Sequence, residues 1–187
     1  MKILLKGKIL RQTFANILNE KTKLHLLHPL VLLLRILSIP YSLTVQTRLS
    51  LYKTGIFKTN KLGCPVISVG NLTLGGTGKT PVVEYIARFF LDKGLKPVVL
   101  SRGYGRSTKS PMVVVSNGKR ILVNPDEAGD EPYLLAENNP TVPVIVGKDR
   151  FRSGETAIKK FKPGVIILDD GFQHLSLARA LNIVLLN

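Results

Sequence analysis

The chain has a single cysteine, Cys64. One thiol closes no internal disulfide, so a disulfide-stapled secreted domain is excluded and a reducing compartment is the simpler setting. No second cysteine or histidine lies near it in sequence, and Cys64 reads as a small, semi-apolar residue ahead of Pro65. Glycine and proline are not in excess, 16 and 11 among 187 residues, which removes the fibrous and low-complexity classes. With 44% hydrophobic and 21% charged residues the chain is not of the disordered kind, and its length allows one sizeable core, at most two domains.

Acidic side chains are also scarce. Twelve Asp and Glu face 27 Lys and Arg, a net charge of +15. Such a balance favours an anionic partner: nucleic acid, an acidic membrane surface or a phosphorylated substrate. Residues 1–60 hold seven Lys and three Arg against Glu20 alone, so 10 − 1 places +9 of the excess in the first third. No basic stretch is interleaved with aromatics, so nucleic acid is not expected as a partner. A guanine-reading Asn-Lys-x-Asp element is missing too, since Asn60-Lys61 lacks the Asp.

A long uncharged apolar run is the third absence. Residues 24–51 are rich in leucine, but Arg35 splits them, His25 and His28 sit among them, and Pro29 and Pro40 interrupt them. The pieces on either side of Arg35 fall short of the roughly 18 apolar residues that a spanning helix needs. A cleavable signal fits poorly, because the apolar part starts late and lacks a small-residue cleavage site. The expectation is an interfacial segment. Its leucines dip into the acyl boundary while Lys21, Lys23, Arg35, Arg48 and Lys53 meet anionic head groups. An ordinary helix packed on the domain is the alternative. Residues 1–60 are thus read as a basic, membrane-associating helical unit and residues 61–187 as a separate core.

In that core, strands alternate with helices. Strands are expected at residues 65–69, 97–100, 142–146, 165–168 and 183–186, with a hairpin of residues 112–115 and 120–123 about Asn117-Gly118. Helices are expected at residues 80–93, 129–137, 150–161 and, briefly, 175–181. This alternation gives an α/β fold, a mostly parallel sheet with helices on both faces, and ligands bind beyond the carboxyl ends of its strands.

Between the first strand and the first helix lies Thr73-Leu74-Gly75-Gly76-Thr77-Gly78-Lys79-Thr80. A glycine loop ending in Gly-Lys-Thr between strand and helix is the Walker A context. Glycines let backbone N–H groups turn toward phosphate, and the helix N-terminus adds partial positive charge. Lys79 is placed to reach the β- and γ-phosphates, and the Thr80 hydroxyl to ligate Mg²⁺. Thr73 stands where the general consensus has Gly. Further on, Val165-Ile166-Ile167-Leu168-Asp169-Asp170 is an apolar strand ending in two carboxylates, the shape of a Walker B element, and Mg²⁺ wants such hard oxygen ligands. Neighbouring residues of an extended strand face opposite ways, so one acid alone would face the ion.

Other residues leave alternatives open. Asp130 is either the cap of the helix that follows Gly129 or a base near the acceptor hydroxyl. His174 orients an acid, contacts phosphate, or is structural. Arg102 and Arg106, just past the second strand, are candidate contacts for a substrate phosphate or members of a solvated loop, and Arg150 joins them as a candidate.

Taken together, Val69-Gly70-Asn71-Leu72-Thr73 running into Gly75-Gly76-Thr77-Gly78-Lys79-Thr80-Pro81, then Ser101-Arg102-Gly103-Tyr104-Gly105, Gly129-Asp130-Glu131-Pro132 and Asp169-Asp170-Gly171-Phe172-Gln173-His174 resemble, in order, the motifs of the tetraacyldisaccharide 4′-kinase family. The basic, leucine-rich beginning resembles that family's membrane-associating helix, and Thr73 is usual there. The resemblance implies transfer of the γ-phosphate of ATP, with Mg²⁺, to the 4′-hydroxyl of an acylated disaccharide phosphate lipid. The place implied is the cytoplasmic face of a bacterial inner membrane, with the enzyme peripheral on an anionic surface. It implies Asp130 as acid or base in place of the cap, Asp170 for the metal with Asp169 beside it, and a catalytic set of Lys79, Asp130, Asp169 and His174. It also implies a longer chain, with a further lobe that supplies a histidine to partner Asp130. A non-catalytic nucleotide-binding module on a membrane and an ATPase acting on nucleic acid are the competing readings.

Overall fold

A computed structural model describes residues 29–72, 78–108 and 110–186. Expectations for residues 1–28, and for Thr73, Leu74, Gly75, Gly76 and Thr77 of the glycine loop, lie outside the described residues. By its own contacts the chain divides into two compact units, one ending at Lys53 and one beginning at Thr54.

The described part of the first unit is helix α1, Pro29–Lys53. Pro40 sits inside it and does not end it. A proline removes one N–H from the ladder, and nearby hydroxyls take up carbonyls of the helix: Ser38 Oγ donates to Arg35 O at 2.7 Å and Thr44 Oγ1 to Pro40 O at 2.8 Å. Leu33, Ile36, Leu37, Ile39 and Leu43 are each more than half exposed. Among the described residues no helix is long and apolar enough to cross a membrane.

The second unit is built on a six-stranded sheet in the order β3-β4-β2-β5-β1-β6. Its strands are β1 (Val66–Asn71), β2 (Pro97–Ser101), β3 (Met112–Asn117), β4 (Pro143–Gly147), β5 (Val165–Asp169) and β6 (Leu181–Leu185). All neighbours pair in parallel except β3 on β4. The helices are α2 (Lys79–Asp92), α3 (Pro125–Ala128), α4 (Asp130–Asn138) and α5 (Arg150–Phe161).

Period-two alternation sorts the strand side chains onto two faces. Val69, Val99, Val144, Val146 and Ile167 pack with Val83 and Ala87 of α2 and Leu135 and Ala136 of α4. Val66, Val98, Leu100, Ile145, Ile166 and Leu168 pack with Ala157 of α5 and with Leu177. Both faces of β5 are covered, which is why residues 165–168 form an unbroken apolar run. Each fully buried Val, Ile or Leu of that run contributes about 1.5–3 kcal/mol at most, so a charge anywhere in it would break the sheet.

Two expectations are corrected. The second arm of the hairpin is not a strand. Asn117-Gly118 does turn the chain, but only one bridge, Ser116 with Ile121, joins the arms, and β3 spends its length on β4. The expected helix at 175–181 is also absent. The chain returns there irregularly from β5 to β6, pinned by Leu177 bridging Asn60 and by Ala180 N–H donating to Val66 O at 2.8 Å. Leu177, Ala178 and Ala180 already have backbone partners at Asn60 and Val66, Leu177 is buried, and Leu181 begins β6, which leaves no helical ladder to form.

Candidate functional site

The carboxyl ends of β1, β2, β4 and β5 share one edge of the sheet, and the chemistry-bearing residues gather there. Lys79 opens α2, with Gly78 before it at φ 72°. The Lys79 ammonium lies 3.3 Å from Asp170 Oδ1 and donates to Asn71 Oδ1 at 3.1 Å. Thr80 follows in the first turn of the helix. Strand β1, helix α2 and the end of β5 thus meet at one ammonium.

The two acids differ sharply. Asp169 ends β5 and is buried, 3% exposed. Its Oδ2 accepts from Ser101 Oγ at 2.9 Å, across from the end of β2. Burial pushes its carboxyl above the ordinary carboxylate range. The Ser101 hydrogen bond opposes that, Glu131 and Asp170 add to it, and Arg150 offsets part. Asp170 lies one residue beyond the strand at φ 53°, and its side chain is 56% exposed. Aspartate tolerates this left-handed backbone better than most residues. The chain therefore turns at Asp170 and presents an open carboxylate, while Asp169 stays below it.

The turn is held on two sides. A Cβ on Gly70 would stand 2.6 Å from the Phe172 Cβ, so only glycine lets Phe172 lie against the end of β1. Arg179 donates to the carbonyls of Gly171, at 3.2 Å, and Phe172, at 2.9 Å. His174 sits just beyond, its Nε2 3.1 Å from Ser176 Oγ.

A second close approach brings two loops together. A Cβ on Gly129 would stand 2.9 Å from Tyr104 O, and one on Gly103 2.1 Å from Val146 Cγ1 and 3.3 Å from Ala128 O. The loop after β2 is thereby seated on the start of α4. Gly129, not Asp130, is the cap residue of α4, and Asp130 stands exposed in its first turn. Glu131, beside it, is near enough to raise the Asp169 carboxyl.

The arginines divide. Arg102 lines a cavity of about 760 Å³ together with Tyr104, Arg106, Ser110 and Lys148. Arg106 Nη2 donates to Ser110 O at 2.7 Å and Pro111 O at 3.3 Å, so much of this guanidinium is spent shaping the loop. Arg150 departs from the role expected of it. It is 3% exposed, donates to the carbonyls of Gly147 and Asp169, and ties the ends of β4 and β5 together from below. Burial lowers its pKa to about 10, with Asp169 and Asp170 opposing and Arg102 adding to the shift. It stays charged at neutral pH, but it has no open face for a substrate.

Asn71, Ser101, Glu131, Lys148 and Arg179 belong to this neighbourhood and were not given roles from sequence. Ser101 was within reach: it ends β2 as Asp169 ends β5, and adjacent parallel strands finish on one edge. Arg179 carried no such signal, because the irregular return from β5 to β6 has no period.

The family model for tetraacyldisaccharide-1-P 4′-kinase, LpxK, matches residues 30–187. Tetraacyldisaccharide 4′-kinases from Syntrophus aciditrophicus and Geobacter metallireducens are 50% and 49% identical to the chain over 159 and 155 residues, 85% and 83% of it. Those stretches are 42% and 46% of the two relatives, so the chain spans about half the length of the curated relatives it matches. The crystal structure of LpxK from Aquifex aeolicus in complex with ATP superposes with a TM-score of 0.76 at 47% identity, over 82% of this chain and 48% of that one.

Proposed function

Because the chain belongs to the tetraacyldisaccharide-1-P 4′-kinase family, we propose that it is the ATP-binding part of a lipid kinase, one that transfers the γ-phosphate of ATP to the 4′-hydroxyl of an acylated disaccharide phosphate. The observation that carries this reading is the Lys79 ammonium held between Asn71 and Asp170, at the open edge of a parallel sheet and the start of a helix. A helix N-terminus with a lysine in its first turn favours a polyphosphate by its aligned N–H groups and its charge.

Lys79 binds and orients the β- and γ-phosphates, and its positive charge answers the charge that develops in transfer. Asp130, exposed in the first turn of α4, takes the proton of the acceptor hydroxyl. Asp169 and Arg150 form the buried base on which Asp170 rests. The hydroxyl of Thr80 and the open carboxylate of Asp170 are hard oxygen donors of the kind Mg²⁺ takes, and they would hold it. Such an ion, when bound, neutralises charge on the phosphates. The cavity lined by Arg102, Arg106 and Lys148 suits the acceptor's own phosphate, because three cations line it and no acid does. The Arg106 guanidinium serves there chiefly by shaping the wall.

The exposed leucines of α1, with Arg35, Arg48 and Lys53, bring the enzyme to an anionic membrane surface, where such an acceptor resides. The cytoplasmic face of a bacterial inner membrane is the place we assign, with peripheral attachment. Nucleic acid is not among the proposed partners.

Calorimetry with MgATP tests the reading directly. The 187-residue chain is expected to bind ATP weakly and to transfer phosphate poorly by itself, since it spans about half of its relatives. Absence of heat with folded protein would overturn the nucleotide assignment. Robust 4′-phosphorylation by the chain alone would overturn the view that it is catalytically incomplete.

A further inference from the structure

We infer that Asn71 is a positioning residue of the nucleotide site, acting through Lys79: its side-chain carbonyl holds the lysine ammonium at the end of β1 so that the charge meets the terminal phosphates. The inference rests on the nucleotide reading above and goes beyond it by assigning work to a residue outside the loop, the metal ligands and the proposed acid or base.

The geometry is specific. Asn71 is the last residue of β1, half-buried, and β1 is held between β5 and β6. Its Oδ1 therefore comes from a rigid strand end and not from a loop. Lys79 Nζ donates to it at 3.1 Å and lies 3.3 Å from Asp170 Oδ1. A flexible four-carbon stem would otherwise sweep a wide volume, and ordering it costs side-chain entropy. Two acceptors, one at the end of β1 and one in the turn just past β5, narrow that volume before any ligand arrives, which lowers the cost of ordering when phosphate binds.

The chemistry of the two acceptors differs in a useful way. Asp170 is a charged partner and offers its other lone pairs to a cation. Asn71 is neutral. It accepts a hydrogen bond without cancelling the ammonium charge, so the field that attracts phosphate survives. A carboxylate at position 71 would give Lys79 two counter-ions and set a second negative charge beside an incoming polyanion.

The test uses the 187-residue chain and fluorescence titration with mant-ATP, with ADP and AMP as competitors. Asn71→Ala is expected to weaken mant-ATP and ADP roughly tenfold, the scale of a lost hydrogen bond to a charged group. AMP, which lacks the phosphates that Lys79 meets, should compete within about twofold of wild type, well under one hydrogen bond's worth. In a Lys79→Met background the same substitution should change affinity by less than about twofold, because a residue acting through Lys79 has nothing left to act on. Asn71→Ser carries the same test if the alanine variant does not fold. Equal weakening of AMP, or an undiminished loss in the Lys79→Met background, would assign Asn71 a purely structural role and overturn the inference. Unchanged mant-ATP binding would overturn it as well. If wild type takes up no mant-ATP, the nucleotide reading fails first, and that outcome is distinct from the others.

Discussion

Lys79 Nζ and Asp170 Oδ1 stand 3.3 Å apart, the ammonium from the first turn of a helix and the carboxylate from a left-handed turn one residue past a strand. Because both side chains are partly open to water, the pair is weak by itself, within about 1 kcal/mol, and readily exchanged for stronger partners. In the proposed site a triphosphate would take the lysine and a divalent ion the aspartate. Asp170→Asn should therefore leave metal-free ATP binding nearly as in wild type while removing most of the tightening that Mg²⁺ gives. Titrations with ATP in EDTA and with MgATP check this. Equal enhancement by Mg²⁺ in both proteins would remove Asp170 from the metal site.

Asp169 yields a prediction with a definite pH sense. Its folded pKa is raised, chiefly by burial. The folded state then holds that proton more tightly than the unfolded chain. The stabilising contribution is complete below the unfolded carboxyl pKa, about 3.9, and is lost as pH rises through the folded value. Asp169→Asn has no such proton to lose. The melting temperature of the variant relative to wild type should accordingly climb as pH rises from acid toward neutral, since the asparagine amide can keep a hydrogen bond with Ser101 at every pH. A difference in melting temperature that stays flat across that range would contradict the burial account.

Gly70 and Phe172 make a purely steric prediction. Gly70→Ala would drive a methyl to 2.6 Å from the Phe172 Cβ and 3.1 Å from its backbone nitrogen. Overpacking against backbone costs on the order of 1–3 kcal/mol, and several degrees of melting temperature in a domain of this size. The displaced turn carries Asp170, so ATP affinity in the presence of Mg²⁺ should fall as well. Phe172→Gly in the same chain removes the Cβ that the methyl meets at 2.6 Å and should recover part of the loss in affinity. No recovery would mean that the clash lies elsewhere.

How much of this was legible in the sequence follows from where each signal lives. The strands were readable because a buried parallel strand is an unbroken apolar run, and Val165-Ile166-Ile167-Leu168 has no other good explanation. Helix α5 was placed at its observed bounds, since Asp149 caps it and Lys162 and Gly164 end it. The failures come from long-range partners. Nothing local tells residues 120–123 that β3 is taken by β4, or residues 175–181 that Asn60 and Val66 will claim their backbone. At the site, residue types gave Lys79, Asp169 and Asp170 directly. The burial of Arg150 was not legible, because a guanidinium beneath β4 and β5 looks the same in sequence as one at a rim. The place of Asn71 beside Lys79 needed the three-dimensional contact itself.

Helix α1 supports the last prediction. Leu32, Leu33, Ile36, Leu37, Ile39 and Leu43 stand more than half exposed, which water does not favour, and Arg35, Arg48 and Lys53 are spread along the same helix. The first sixty residues together hold +9. Burial of apolar side chains at the acyl boundary and attraction to anionic head groups then act together, the second at roughly 1 kcal/mol per basic residue near the surface. In flotation assays the chain should bind vesicles containing phosphatidylglycerol far better than purely zwitterionic ones. Raising salt from about 0.1 M to 1 M shortens the screening length from about 10 Å to 3 Å and should weaken but not abolish binding. Replacing Leu33, Leu37 and Leu43 by Ser, which leaves every charge in place, should remove the salt-resistant part. Binding that vanishes entirely in salt would mean that the leucines do not enter the bilayer. Binding indifferent to vesicle charge would mean that the basic residues serve another partner.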